Sequence, residues 1–546
     1  MNEPVTAPIR RVGHRKPERR WRHRIPVRLR HYWRPVALFA AFLVVTMGVF
    51  GTARVIPYIT GDDLYEPPAV TQDIAGTVSL FDTSTSHTVQ LTFAQADYER
   101  VLQAWYDDGE KEYLEADLVI DGTRVENVGV RLKGNSTLMA LRDPDDPDGG
   151  QRSPGGMQPP EGELPEGVAP AGGGEQGDEG GPQQMGGLSS VALSEAEPEN
   201  LPWLISFDEF AEGRRYQGHS EIAVRPASAS STFSANEALA LSLVADTGQT
   251  SQGHVYSTFT VNDRPTTTRL LVEHPDEAYA ETEFGSDAVL YKSLSTGSFT
   301  DKGDDPTEYE TDFQQINRIG SQDLQPVIDL IQWVNSATDE EFTTELGEHL
   351  DIDSFARYLA TQNLLLNFDD MSGPGRNYYL RYDLETEKFE VITWDLNFAF
   401  GGSADAGPHD ELRMGGLGGP GAAATQPNAT QPQAAQPEAA EGEGAAEAGG
   451  DQQGQRGPMT GNKLKERFLA TPAFKEAYEQ AYRVLYQQIY ADSGAMRVLD
   501  ELAATVPTSD TLDAATITAD LDALRQTVTT RTDALATDPV ITGAAP

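Results

Sequence analysis

The 546-residue sequence predicts an α+β fold with a helical C-terminal region, preceded by one N-terminal transmembrane helix. Three observations predict it. Short stretches alternating apolar and polar residues recur between positions 88 and 272, the period of half-buried strands. Apolar residues three and four apart begin at 236 and dominate after 472, the period of helices packed on one face. Finally, 19 uncharged residues separate Arg34 from Arg54, a length that as a helix nearly crosses a bilayer.

The N-terminal element comes first. Residues 1–34 form a basic tail, with eleven Lys or Arg against Glu3 and Glu18, a net charge of +9. Basic flanks stay cytoplasmic, so segment 35–55 reads as a single-pass anchor in the cell membrane. The N-terminus then lies in the cytoplasm and the bulk outside. A cleaved signal peptide is the rival, but the basic head is long and no clear small-x-small site follows it. The whole chain carries a formal charge of −44, which argues against a nucleic-acid partner, since such binding needs a basic face. There is no cysteine, which removes disulfides, thiolate zinc sites and a cysteine nucleophile. An exported domain of this kind relies on core packing alone.

Domain organisation follows from composition. A main domain is expected over 70–402, interrupted by an insertion at 143–199 where 23 of 57 residues are Gly or Pro. A second insertion, rich in Gly, Pro, Ala and Gln, covers 403–461, and a helical part follows over 462–536. Neither insertion buries enough apolar surface to offset roughly 1–2 kcal/mol of backbone entropy per residue, so both read as disordered. Each holds a Met-Gly-Gly, at Met185–Gly187 and Met414–Gly416. Within the main domain, strands are expected at Thr88–Phe93, Ala116–Ile120, Val128–Leu132, Leu201–Phe207, His254–Val261 and Arg269–Val272. Helices are expected at Asn236–Thr247, Leu324–Ser336, Asp353–Leu366, Pro472–Tyr490 and Ala519–Leu535.

Chemistry concentrates between Asp353 and Gly402. A helix ends near Asn367, and the run from Phe368 to Arg376, with Gly373-Pro374-Gly375, is a loop. Two strands follow, Asn377–Tyr382 and Lys388–Asp395. If Tyr382 pairs with Lys388, Asn377 lies opposite Thr393, and the open end gathers Asn377, Asp395 and either Asp369 or Asp370. Two carboxylates and an amide oxygen beside a Gly-rich loop suit a hard divalent cation and a phosphate. In kinases an Asp before such a hairpin orients the acceptor hydroxyl, while an Asn and a later Asp hold magnesium. Here the Asp369-to-Asn377 spacing is longer than in ordinary protein kinases, and Trp394-Asp395-Leu396 stands in place of Asp-Phe-Gly. Each residue also has a plain structural reading, as a cap, a turn residue or a solvated strand end. No Walker loop, His-Glu-x-x-His helix or Gly-x-Ser-x-Gly elbow occurs, and the acidic run at 301–310 lacks EF-hand spacing.

The segment Val128-Gly129-Val130-Arg131-Leu132-Lys133-Gly134-Asn135-Ser136 resembles the signature strand and turn of the spore-coat CotH family of atypical protein kinases. Asn377-Tyr378-Tyr379-Leu380, followed by Trp394-Asp395-Leu396-Asn397-Phe398-Ala399-Phe400-Gly401, is similar to that family's second signature. The likeness covers roughly 75–535 outside the insertions. It implies a divergent protein-kinase-like fold that transfers phosphate from ATP to Ser or Thr of a surface protein, with Mg or Mn. By position, Asp369 matches the catalytic aspartate and Asp395 a metal ligand, with Asn377 as the second. Lys133, with Arg131 beside it, is placed to neutralise ATP phosphates, and Lys292 competes for that role. Glu237 or Glu273 is available to orient the lysine, though a solvated helix face or strand end is the simpler reading of each. One departure stands out. Leu201-Pro202-Trp203-Leu204-Ile205-Ser206 carries none of the basic residues that many members place there. A catalytically silent surface-binding protein on the same fold is therefore the alternative.

Overall fold

Alternation in the sequence becomes a barrel. The computed structural model describes residues 67–134, 137–141, 193–227, 231–412 and 461–543, with Leu38 and Phe42. The chain divides into two compact units, 1–61 and 62–546, and the account that follows concerns the second. The expected anchor, apart from those two residues, and most of both insertions lie outside the described residues. No helix among the described residues is long and apolar enough to cross a membrane.

The first strands are β1 (Gln72–Ile74), β2 (His87–Phe93), β3 (Leu114–Ile120), β4 (Thr123–Leu132), β5 (Trp203–Ser206), β6 (Arg214–Tyr216), β7 (Glu221–Val224), β8 (His254–Val261) and β9 (Thr267–Glu273). Seven of them close in the order β2-β3-β4-β5-β7-β9-β8, while β1 and β6 pair separately. Strand β2 shows why: Val89, Leu91 and Phe93 are buried, and Thr88, Gln90 and Thr92 are exposed. Closure comes from a parallel seam in which His87 of β2 lies opposite Ser257 of β8. Every other neighbouring pair in the barrel is antiparallel. Gly129 of β4 lets the turn after β5 cross it, since a Cβ there would lie 2.5 Å from Cβ of Glu209.

Helix α1 (Gln95–Asp108) covers the barrel with Tyr98, Val101, Leu102 and Trp105, at the three-and-four spacing of an apolar stripe. Helix α2 (Ala235–Asp246) is apolar on nearly every side and correspondingly buried. Next come α3 (Glu277–Phe284), β10 (Ala288–Ser293), β11 (Phe313–Gln315), α4 (Gln325–Ser336), α5 (Asp339–His349) and α6 (Ile352–Leu364). Strands β12 (Tyr378–Asp383) and β13 (Lys388–Thr393) then complete an antiparallel sheet of order β11-β10-β12-β13. The chain ends in α7 (Lys463–Ala470), α8 (Pro472–Tyr486), α9 (Gly494–Thr505) and α10 (Ala514–Ala536), with α8 lying along α6. One apolar core fills the barrel and a larger one joins α2, the sheet and the C-terminal helices. The architecture is α+β with a helical C-terminal region, as the sequence predicts.

Two expectations need correction. The β12–β13 register is one residue off, because Asp383 rather than Tyr382 pairs with Lys388, and Tyr378 rather than Asn377 faces Thr393. The cause lies in the turn. Oδ1 of Asp383 accepts from the backbone N–H groups of Glu385 (3.2 Å) and Thr386 (2.8 Å), and Glu387 takes a left-handed φ of 56°. The ends of both insertions are also packed. Leu193, Pro198 and Glu199 are buried, with the Glu199 carboxylate on Arg264. Residues 403–410 are tied to the C-terminal helices by Arg531, which donates to the carbonyls of Ala404 and Ala406, and by Tyr478, which donates to that of Pro408.

Candidate functional site

Leu366 adopts a left-handed φ of 54° and turns the chain out of α6. Asn367 then anchors the loop by donating to Oε1 of Gln362 at 2.8 Å. The loop folds back so that Oδ1 of Asp369 accepts from the Gly375 N–H at 2.5 Å and Oδ2 from Nδ2 of Asn377 at 2.9 Å. A side chain at 375 would destroy this, since its Cβ would sit 2.6 Å from Oδ2 of Asp369. Burial, reinforced by the charges of Asp395 and Asp370, pushes the Asp369 carboxyl up to about 7 against the pull of those two hydrogen bonds. Asp370 points elsewhere, with one oxygen on the Ser372 N–H (2.8 Å) and the other on Lys465 of α7. The choice between the two carboxylates is thereby resolved. Asp369 meets Asn377, and Asp370 serves the joint with the C-terminal helices.

Asp395 follows β13 in the left-handed conformation, φ 56° and ψ 66°, at the head of a 3₁₀ turn over Leu396–Phe398. Such a conformation is uncommon for a non-glycine residue and is held by its surroundings. Here the hold comes from Asn236 of α2, whose side-chain N–H groups reach the carbonyls of Asn397 (2.7 Å) and Ala399 (3.1 Å). Oδ1 of Asp395 accepts from Nη2 of Arg225. Arg225, just past β7, also donates through Nε to both oxygens of Glu237 on α2, at 2.9 and 2.8 Å. Glu237 is 2% exposed, so the expected solvated helix face is wrong, and its partner is Arg225 rather than either lysine. Glu273 is not a lysine partner either, pairing with His219 at 2.8 Å and with the Gly253 N–H.

Three cations converge on the indole next to Asp395. The ammonium of Lys133 lies 5.3 Å from the Trp394 ring, that of Lys292 5.7 Å, and the guanidinium of Arg225 5.9 Å. Lys133 directly follows β4, at a turn whose Gly134 has φ 108°, and Lys292 lies on β10, opposite Tyr379 of β12. Neither ammonium has a hydrogen-bond or ion-pair partner among the described residues. Burial, and then the charges of Lys292 and Arg225, hold Lys133 well below the usual lysine range. Lys292 is lowered by burial and by Arg131 and Arg225, against the opposing pull of Asp395. Arg131 stands one pleat back, 5.3 Å from the Tyr113 ring.

Of the residues expected from the sequence, Asp369 and Asn377 are paired, Lys133 and Lys292 gather on Trp394 next to Asp395, and Arg131 lies on Tyr113; Arg225, which the sequence reading did not name, joins this group. A single charged residue directly after the buried strand Ile222-Ala223-Val224 was the available signal. Also missed was the pair behind the cations. Nδ1 of His274 lies 2.6 Å from Oε2 of Glu221, and the His274 ring meets Trp394 edge-on at 5.7 Å. Burial and the charge of Lys133 pull the His274 imidazole down, against the carboxylate of Glu221.

The donor set fits a divalent cation bound together with phosphate. Among the described residues no three carboxylate or imidazole side chains gather into a closed metal cage. Asp395 and the Asn377 amide oxygen instead offer a partial set of hard ligands, the pattern that leaves positions for phosphate oxygens and water. Lys133, Lys292 and Arg225, gathered on Trp394, bring positive charge next to Asp395, a setting that suits a polyanion.

The chain matches the family described as CotH kinase protein over residues 195–518. That span holds Arg225, Glu237, Lys292, Asp369, Asn377 and Asp395, and starts after Arg131 and Lys133. The inner spore coat protein H of Bacillus subtilis (strain 168) is 25% identical over 196 residues, which is 35% of this chain and 53% of that protein. The chain thus spans about half the length of the curated relative it matches. With the family match covering more than half of its residues, this α+β chain belongs to the CotH kinase protein family.

Proposed function

We propose that the domain is a phosphotransferase of the CotH type, moving the terminal phosphate of ATP to a Ser or Thr hydroxyl of a surface protein. The tail and segment 35–55 would anchor it in the cell membrane, with the catalytic domain outside. One observation carries the reading: the ammonium groups of Lys133 and Lys292, which have no hydrogen-bond or ion-pair partner among the described residues, gather on the ring of Trp394 next to Asp395, while Asp369 is held by Asn377. A static surface protein gains little from gathering three cations on one indole ring, whereas a triphosphate supplies oxygens for all of them.

Each residue has a task in this reading. Lys133 and Lys292 bind phosphate oxygens, with Arg131 behind them. Asp395 and the Asn377 amide oxygen hold Mg or Mn, which when bound neutralises charge on the transferring group. Asp369 accepts a hydrogen bond from the acceptor hydroxyl and takes its proton, a role suited by a carboxyl lifted to about 7. Asn377 keeps Oδ2 of Asp369 aimed by donating to it.

Calorimetry with ATP and Mn, paired with a phosphate-transfer assay, tests the proposal. Wild type should bind. Asp395→Ala should lose metal-dependent binding, and Asp369→Asn should keep binding while turnover falls on the order of 10²-fold or more. Absence of wild-type binding at millimolar ATP, or equal binding by all three proteins, overturns it.

A further inference from the structure

Arg225 occupies an unusual position between two demands. Its Nε and Nη2 are committed to Glu237, and Nη2 also reaches Oδ1 of Asp395. Nη1 makes no hydrogen bond to any described residue and keeps some exposure to solvent. The guanidinium carbon lies 5.9 Å from the Trp394 ring shared with Lys133 and Lys292. Glu237, nearly inaccessible on α2, fixes one edge of the guanidinium, and Asn236 on the same helix fixes the turn that carries Asp395. One helix therefore sets both ends of the Arg225–Asp395 contact.

We infer that Arg225 is a positioning residue coupling the metal and phosphate sites: it restrains Asp395 before ligand binds and passes to a phosphate oxygen when a divalent cation takes that carboxylate. The inference rests on the functional reading above. A cation arriving alone meets a carboxylate already shared with a guanidinium, and like charges oppose it. A phosphate arriving alone faces Asp395. Arriving together, the phosphate accepts from Arg225 and the cation takes Oδ1, so each ligand removes the other's obstacle. By reciprocity, both affinities change by the same factor.

A direct metal–phosphate bond favours joint binding in any protein, so the test measures metal alone. Binding of Mn²⁺ without nucleotide is followed by electron paramagnetic resonance for wild type, Arg225→Met and Arg131→Met. Arg131→Met is the control, since it removes a nearby cation that has no hydrogen bond to Asp395. Arg225→Met should bind Mn²⁺ alone more tightly than wild type, on the order of tenfold, and Arg131→Met distinctly less so. ATP in the presence of a chelator should bind Arg225→Met more weakly. An unchanged or weakened Mn²⁺ affinity in Arg225→Met, or an equal gain in Arg131→Met, overturns the coupling. If Arg225→Met fails to fold, Arg225→Lys takes its place, because a single ammonium cannot fork between Glu237 and Asp395. Joint Mn–ATP binding in wild type, measured in parallel, separates the two failures: its absence removes the functional reading, and its presence with unaltered variants removes only the coupling.

Discussion

Arg531 on α10 and the lysines beside Trp394 are cations in different company, the first fully buried and the others half-buried. Arg531 is 0% exposed, yet its Nη groups donate to the carbonyls of Ala404, Ala406 and Asn363, to Oδ1 of Asn363 and to the Tyr482 hydroxyl. Arg269 in the barrel follows the same plan, bonding the carbonyls of Arg225, Glu199 and Leu201. Lys133 and Lys292 have aromatic faces beneath them and no hydrogen-bond acceptor among the described residues. Burial of a charge is costly unless hydrogen bonds replace the lost water. Surrounded by acceptors, a buried cation is a structural joint. Without them, as at the two lysines, the charge rests on an aromatic face and on water.

The sharpest way to break this contrast is Arg531→Met. It should destabilise the domain by roughly 3 kcal/mol or more, because several buried acceptors lose their donor together. Chemical denaturation measures this, and a loss under about 1 kcal/mol would mean that Arg531 is not a joint. The double change Lys133→Met, Lys292→Met should act in the opposite sense. Without ligand the variant should melt at or slightly above wild type, having shed two cations that repel each other and Arg225, and ATP should no longer raise its melting temperature. A clear drop in ligand-free stability would place both lysines with Arg531. The smallest effect belongs to the second insertion. Replacing 413–460 with a short Gly-Ser bridge should change stability by well under 1 kcal/mol, since loop closure costs only about 0.6 kcal/mol per doubling. Extending that deletion to 403–461 removes the acceptors of Arg531 and should cost far more, which thermal melting of the two deletions compares directly.

Much of this was legible before any coordinates. His254–Val261 is a strand over the expected residues, and α2, α4 and α6 begin within a residue of their expected starts. Periodicity reports burial, and these elements bury one or both faces regularly. The hairpin register was not legible, because it depends on the Asp383 side chain seeding the turn, a local contest that alternation does not register. Helix α1 was missed as well. It has no side-chain cap and only four buried residues in 14, too thin a stripe beside the stronger strand signals. In the site, Asp369, Asn377 and Asp395 lie within one stretch of chain and could be read together. Arg225 could not, since Asp395 is 170 residues away and only closure of the barrel against α2 brings them into contact.

That closure also has a consequence in time. The seam between β2 and β8 joins residues as far as 171 positions apart, as in the bond from Thr258 to the His87 carbonyl. Until β8 has been synthesised, β2 has an exposed edge with nothing to pair with on that side. Long-range pairing of this kind is slow, because the intervening chain must give up its freedom before any reward arrives. The barrel is therefore a late event in folding, and the N-terminal strands must stay uncommitted while more than a hundred residues follow them.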